Sequence, residues 1–149
     1  MAAKELLHVK VKEVMTTDLI KVRQDTILKE VKILFDKHNI HHIPVVNDQN
    51  KFVGIISKTD LTLLLDWGTK LNLPSSMRRN TFLLTSNLAK DIMETNVMKV
   101  APDDTLQRCV QIFRENFFRA LPIVNAQEEL VGIITTYDLM ILAYSNPNP

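Results

Sequence analysis

Two short stretches set a hydroxyl three residues before a carboxylate: Ser57-Lys58-Thr59-Asp60 and Thr135-Thr136-Tyr137-Asp138. Each closes a longer phrase, FVGIISKTDL at 52–61 and LVGIITTYDL at 130–139, so one spacing is written twice. A carboxylate can accept from both hydroxyls of a ribose diol, and charge-assisted bonds of that kind are the stronger ones. A hydroxyl at a helix N-terminus, beside unpaired backbone N–H groups, suits a phosphate. Asp60 and Asp138 are therefore candidate ribose acceptors, with Ser57 and Thr135 on the phosphate side. The same spacing also makes a capping box, with the hydroxyl as N-cap and the acid reaching back from the third helical residue. Glu or Gln suits that reach better than the shorter Asp, and Asp stands in both copies. The hydroxyl can serve both purposes.

A phosphate also needs positive charge nearby. His41 and Arg119 each stand three residues before the Pro of a β-rich block, and Lys58 lies inside the first motif. Arg119 is always charged and can chelate phosphate oxygens bidentately. His41 is charged only in part near neutral pH. All three are equally ordinary surface residues. Tyr137, beside the second Asp, can stack on a base or pack.

The elements that position these groups come from an internal repeat. Val14-Met15 returns as Ile92-Met93, Ile43–Val46 as Leu121–Val124, and Gly54 and Asp60 as Gly132 and Asp138. The helical stretch between is read with a one-residue slip, Thr26, Ile27 and Val31 matching Thr105, Leu106 and Val110. Each copy opens with a short strand, Leu19–Val22 or Val97–Val100. A helix follows, with one face formed by Ile27, Val31, Leu34, Phe35 and His38, or by Leu106, Cys109, Val110, Phe113 and Phe117. Asp25-Thr26 and Asp104-Thr105 supply capping residues. Strands at His42–Val46 and Ala120–Val124 contain a Pro, which suggests an edge or a strand start. Polar turns lead into Phe52–Ile56 and Leu130–Ile134, and helices near Thr59–Lys70 and Tyr137–Tyr144 close the copies. Gly54 and Gly132 would let the backbone approach its neighbours closely.

The expected architecture is α/β: two β-α-β-β-α repeats, 8–70 and 89–144, packed sheet to sheet about a pseudo-twofold axis. A unit of about 60 residues cannot cover its apolar sheet face alone. Residues 71–88 read as an inter-repeat linker, with Met77-Arg78-Arg79 a solvated loop.

Composition narrows the function classes. The 149 residues are 46% hydrophobic and 23% charged, ordinary for a globule. A net charge of +1 and the lack of aromatic platforms set among basic residues weigh against nucleic-acid binding. The apolar runs are too short for a membrane span, the first residues contain no apolar h-region so no secretory signal is expected, and one cysteine fits a reducing cytoplasm. Three glycines form neither a P-loop nor a Rossmann fingerprint. His38, His41 and His42 could gather a metal, but the helix should end near Asn39 and the second copy offers no equivalent set, so no metal is expected. Cys109, on an apolar helix face, reads as a buried structural thiol. No nucleophile or acid–base pair stands out, so catalysis and a cofactor are not expected.

In order and spacing, Val-Met-Thr (14–16), Ile-Pro-Val-Val (43–46) and Gly-Ile-Ile-Ser-x-x-Asp (54–60) resemble the cystathionine-β-synthase (CBS) domain. Ile-Met-Glu (92–94), Leu-Pro-Ile-Val (121–124) and Gly-Ile-Ile-Thr-x-x-Asp (132–138) repeat the resemblance. Two such units resemble the tandem CBS pair, or Bateman module, here without an attached catalytic domain. The resemblance implies clefts between the repeats that bind an adenosine ligand such as AMP, ADP, ATP or S-adenosylmethionine. It places the ribose on Asp60 and Asp138, and the phosphate near Ser57, Thr135, His41, Arg119 and Lys58. It sets the base against the first-strand segments containing Thr17 and Ile20, and Thr95 and Met98, which are equally expected in the core. It further implies a homodimer that signals ligand level to a regulated partner protein. The rival is a ligand-free dimerisation scaffold in which the motifs are helix caps.

Overall fold

The computed structural model describes residues 3–69 and 74–145. In chain order its elements are α1 (Ala3–Leu6), a 3-10 turn (Val11–Glu13), β1 (Val22–Arg23), α2 (Leu28–Lys37), β2 (His42–Val46), β3 (Phe52–Ser57), α3 (Lys58–Thr69) and α4 (Pro74–Ser86). There follow α5 (Ala89–Ile92), α6 (Leu106–Glu115), β4 (Ala120–Val124), β5 (Leu130–Thr135) and α7 (Thr136–Tyr144). The β-α-β-β-α order is complete in the first copy. In the second, the opening strand is reduced to one bridge from Val100 to Ile123.

β2 and β3 pair antiparallel from His42–Ser57 to Val46–Phe52, and β4 and β5 repeat that register from Ala120–Thr135 to Val124–Leu130. β1 lies parallel to β2 through Val22 and Arg23 only. It starts later than the expected Leu19–Val22, and Ile20 before it packs against the core. It ends at Arg23, whose N–H donates to the Thr26 hydroxyl at 3.0 Å where the chain turns. Asp104 accepts in the same way from Ala101 N–H at 2.7 Å. Thr26 and Asp104 therefore shape the turn before each helix. The helix N-caps are Ile27, without a side-chain bond, and Thr105, which accepts from Arg108 N–H.

The Pro inside each β-block does not mark an edge in the first copy, where β2 is the middle strand. Pro44 sits opposite Ile55, whose N–H and C=O both bond Glu94 instead. Pairing with β1 begins one residue later, at Val45. The missing N–H of Pro44 thus falls where no ladder bond is required.

The two copies align at one constant offset, without the expected slip in the helix. Leu28 opens α2 and Leu106, 78 residues on, opens α6. The buried sets are Leu28, Val31 and Phe35 in α2, and Leu106, Cys109 and Ile112 in α6. His38 and Phe117 leave the expected faces. The helices end at Lys37 and Glu115, so both residues lie beyond them. Phe117 is fully exposed, and Phe118 packs on the core in its place.

The chain folds into two compact units that cut across the sequence repeats. One is continuous, Ile20–Asn96; the other is discontinuous, Met1–Leu19 with Val97–Pro149. The stretch before each repeat's first strand therefore packs on the β-hairpin of the other repeat. In the continuous unit Ala89 N–H bonds Thr26 C=O, and in the discontinuous unit Val11 N–H bonds Asp104 C=O, each at 2.7 Å. Val11 and Ala89 are wholly buried. Each unit has its own apolar cluster, and among the described residues no polar side chain is buried.

Residues 74–86 of the expected linker form a helix, so Met77-Arg78-Arg79 is not a loop. Pro74 occupies the first helical position, where its missing N–H costs nothing. Leu83 and Leu84 pack on the core, and Asn80 Nδ2 donates to Leu65 C=O at 3.1 Å. Arg78 and Arg79 stay exposed on the outer face. Part of the linker lies outside the described residues.

Candidate functional site

Both Ser/Thr-x-x-Asp motifs stand at a strand-to-helix junction. Ser57 ends β3, and its Oγ accepts from Asp60 N–H at 3.0 Å. Thr135 ends β5, and its Oγ1 accepts from Asp138 N–H at 3.1 Å. In the second copy the Asp138 carboxylate also accepts from Thr135 N–H at 2.9 Å, so the capping box is closed. The shorter acid reaches back after all. A carboxylate offers roughly four lone-pair positions, so one capping bond leaves acceptor capacity for a ligand. Asp60 is exposed and Asp138 half-buried.

The basic residues converge on the same junctions through the backbone. Lys58 N–H donates to His41 C=O at 2.8 Å, and Thr136 N–H to Arg119 C=O at 3.0 Å. Each bond ties the residue opening a helix to the one just before the neighbouring strand. His41 or Arg119 is thereby held beside a helix N-terminus that carries partial positive charge. Both side chains are exposed and Lys58 is half-buried. Tyr137 is 65% exposed, so its ring is not packed in the core.

The base-side candidates are held by single β-bridges. Thr16 exchanges both backbone bonds with Ile133, at 3.0 and 3.1 Å, and Glu94 does so with Ile55, at 2.8 and 3.0 Å. Thr17 and Thr95 directly follow the bridged residues and are exposed. Met98 is 38% exposed, whereas Ile20 packs against the core. By unit, the discontinuous one holds Thr17, Met98, Arg119, Thr135 and Asp138. The continuous one holds Ile20, His41, Ser57, Lys58, Asp60 and Thr95.

The close approach expected at the glycines has a specific partner. A Cβ on Gly54 would lie 2.7 Å from Met93 Sδ, 2.8 Å from its Cγ and 3.0 Å from Glu94 C=O. A Cβ on Gly132 would run into Met15 Sδ, with Cγ at 2.9 Å. The repeated Val-Met and Ile-Met pairs carried this signal, but a Met beside a valine or isoleucine reads as core until the fold brings it to a glycine.

Elsewhere the chemistry is quiet. An open groove of about 650 Å³ lies at the far end of β1 and β2, lined by Lys21, Arg23, Glu30, Ile33 and Asp48 among others. It contains none of the motif residues, and its cations are engaged, Arg23 with Asp48 at 2.7 Å and Lys21 with Asn50 at 2.6 Å. Cys109 is buried, and desolvation, reinforced by Asp104, pushes its thiol up to about 11. Among the described residues no His, Cys, Asp or Glu cluster could hold a metal, and no helix is long and apolar enough to cross a membrane.

The profile of the CBS domain matches residues 11–66 and 89–144. An uncharacterised protein of Methanocaldococcus jannaschii is 29% identical, the match covering 87% of this chain and 88% of its own length. Another protein of that organism is 27% identical, and there the match spans only 44% of the relative's length. Among solved structures, the CBS domain of a CBS-domain-containing membrane protein from Sphaerobacter thermophilus has a TM-score of 0.79 at 23% identity, over 94% of this chain and 91% of that one. A CBSX2 structure in complex with AMP has a TM-score of 0.74 at 24% identity, over 93% and 98%.

Proposed function

The chain belongs to the CBS domain family, and on that premise we propose that it is a non-catalytic regulatory module that binds an adenine nucleotide or S-adenosylmethionine. The observation that carries the proposal is the convergence, in each unit, of a Ser/Thr-x-x-Asp junction, an adjacent basic residue and an exposed Thr segment. Asp60 and Asp138 accept from the ribose hydroxyls. Ser57 and Thr135, with the helix N-termini, take the phosphate or its counterpart, and His41, Lys58 and Arg119 supply charge. Thr17, Ile20, Thr95 and Met98 lie on the base side. Similar structures are described in complex with AMP, and with S-adenosylmethionine and 5-methylthioadenosine, which supports this ligand class. The module acts in the cytoplasm as a homodimer, and a partner protein reads its ligand state through differing affinity for the bound and free forms.

The closed capping box at Thr135 favours one second reading, a ligand-free scaffold. A thermal-melting series with AMP, ATP, S-adenosylmethionine and GMP separates the two. A specific ligand at 100 times its dissociation constant adds about 2.7 kcal/mol and raises the midpoint by several degrees. The nucleotide reading expects that rise with an adenine ligand, and its loss in Asp60→Asn or Asp138→Asn. The scaffold reading expects no rise with any of the four.

A further inference from the structure

The segments that carry Thr17 and Thr95 are attached to their sheets by very little backbone. Each makes a single bridge of two hydrogen bonds, Thr16 with Ile133 and Glu94 with Ile55. So short a pairing does not specify its own register. What specifies it is the side chain just before each bridge. Met15 lies over Gly132 and Met93 over Gly54, where an added Cβ would collide with the thioether. Two residues toward the helix on the same strand face stand Ile134 or Ile56, buried and large, whereas the β-bulge beyond each glycine turns Leu130 and Phe52 to the opposite face. A two-residue shift toward the helix would drive the thioether into Ile134 or Ile56. Each glycine is thus a notch that admits the methionine.

We infer that Met15 and Met93 are positioning residues: seated in the Gly132 and Gly54 notches, they fix the segments that present Thr17 and Thr95 to the ligand. The inference rests on the nucleotide-binding reading above. The same strands end three residues after the notch in Thr135 and Ser57, so each notch sets the Thr segment in register with the cap that faces the phosphate. A methyl at the notch displaces the methionine; trimming the methionine makes room for the methyl.

The test is a double-substitution cycle on Gly132→Ala and Met15→Ala in the full chain, with Gly54→Ala and Met93→Ala as a second pair. Two quantities are read: amide hydrogen exchange at Thr16 in the ligand-free protein, and the dissociation constant for AMP. Gly132→Ala should speed exchange at Thr16 and weaken AMP about tenfold, the cost of mild overpacking. Gly132→Ala with Met15→Ala should recover most of both losses. Unchanged exchange in Gly132→Ala, or a double variant as impaired as the two single effects combined, would overturn the inference. Failure of the wild-type protein to bind AMP or S-adenosylmethionine counts against the proposed function instead. The exchange data then decide the notch alone: it stands if the double variant restores protection at Thr16 and falls if it does not.

Discussion

At the scale of single residues, the capping and proposed ligand roles of Ser/Thr-x-x-Asp need not compete for the same atoms. Asp138 accepts one capping bond from Thr135 N–H, and a carboxylate has further acceptor positions that the proposed diol could use. Loss of the cap should therefore be measurable apart from loss of ligand. Thr135→Ala is expected to lower stability by about 0.5–2 kcal/mol in denaturant melts without ligand. A value near zero would mean the 3.1 Å bond contributes nothing. Cys109 offers a second check. Its thiol is desolvated and pushed up to about 11, so the thiolate is scarce at pH 8. Iodoacetamide should leave it unmodified in the native protein and alkylate it in denaturant. Equal rates in both states would contradict its burial.

At the scale of elements, the hairpin strands of each copy could be read from the sequence, and the bounds of the opening strands and the phase of the first helices could not. β2 and β4 are found at the expected bounds, because each is a short apolar run that a polar turn ends. The helix was harder because adjacent apolar pairs, Ile27-Leu28 and Phe117-Phe118, allow two phases, and Thr26 resembles a cap while it serves the preceding turn. The constant offset has a direct consequence. Ile112→Ala should cost about 2–5 kcal/mol as a core truncation, whereas Phe117→Ser should change stability by less than about 0.5 kcal/mol. Chemical denaturation of both variants checks this. A large loss at Phe117 would restore the slipped register. The helix at 74–86 was hidden by Pro74, Ser75 and Ser76, which read as loop residues although a Pro opens helices readily.

At the scale of the whole molecule, the repeats in the sequence and the compact units in space are different divisions. Repetition shows which segments are alike; it does not show that residues 1–19 belong with 97–149. That follows from side chains such as Val11, buried in the cluster of α6, β4 and β5. Deleting residues 1–15 should therefore unfold the discontinuous unit rather than trim a tail. It would appear as lost hydrogen-exchange protection in β4 and β5, with β2 and β3 still protected. Unchanged protection in β4 and β5 would show the segment to be dispensable. The same division gathers the candidate ligand residues into two sets, each in one unit, although they are scattered from Thr17 to Asp138 in the chain. The most direct measurement is an isothermal titration of AMP and S-adenosylmethionine into the wild-type protein and into the Asp60→Asn, Asp138→Asn double variant. The account predicts saturable binding of at least one of them to the wild type and none to the double variant, with both proteins folded. Absence of binding to the wild type, or undiminished binding to the double variant, would contradict it.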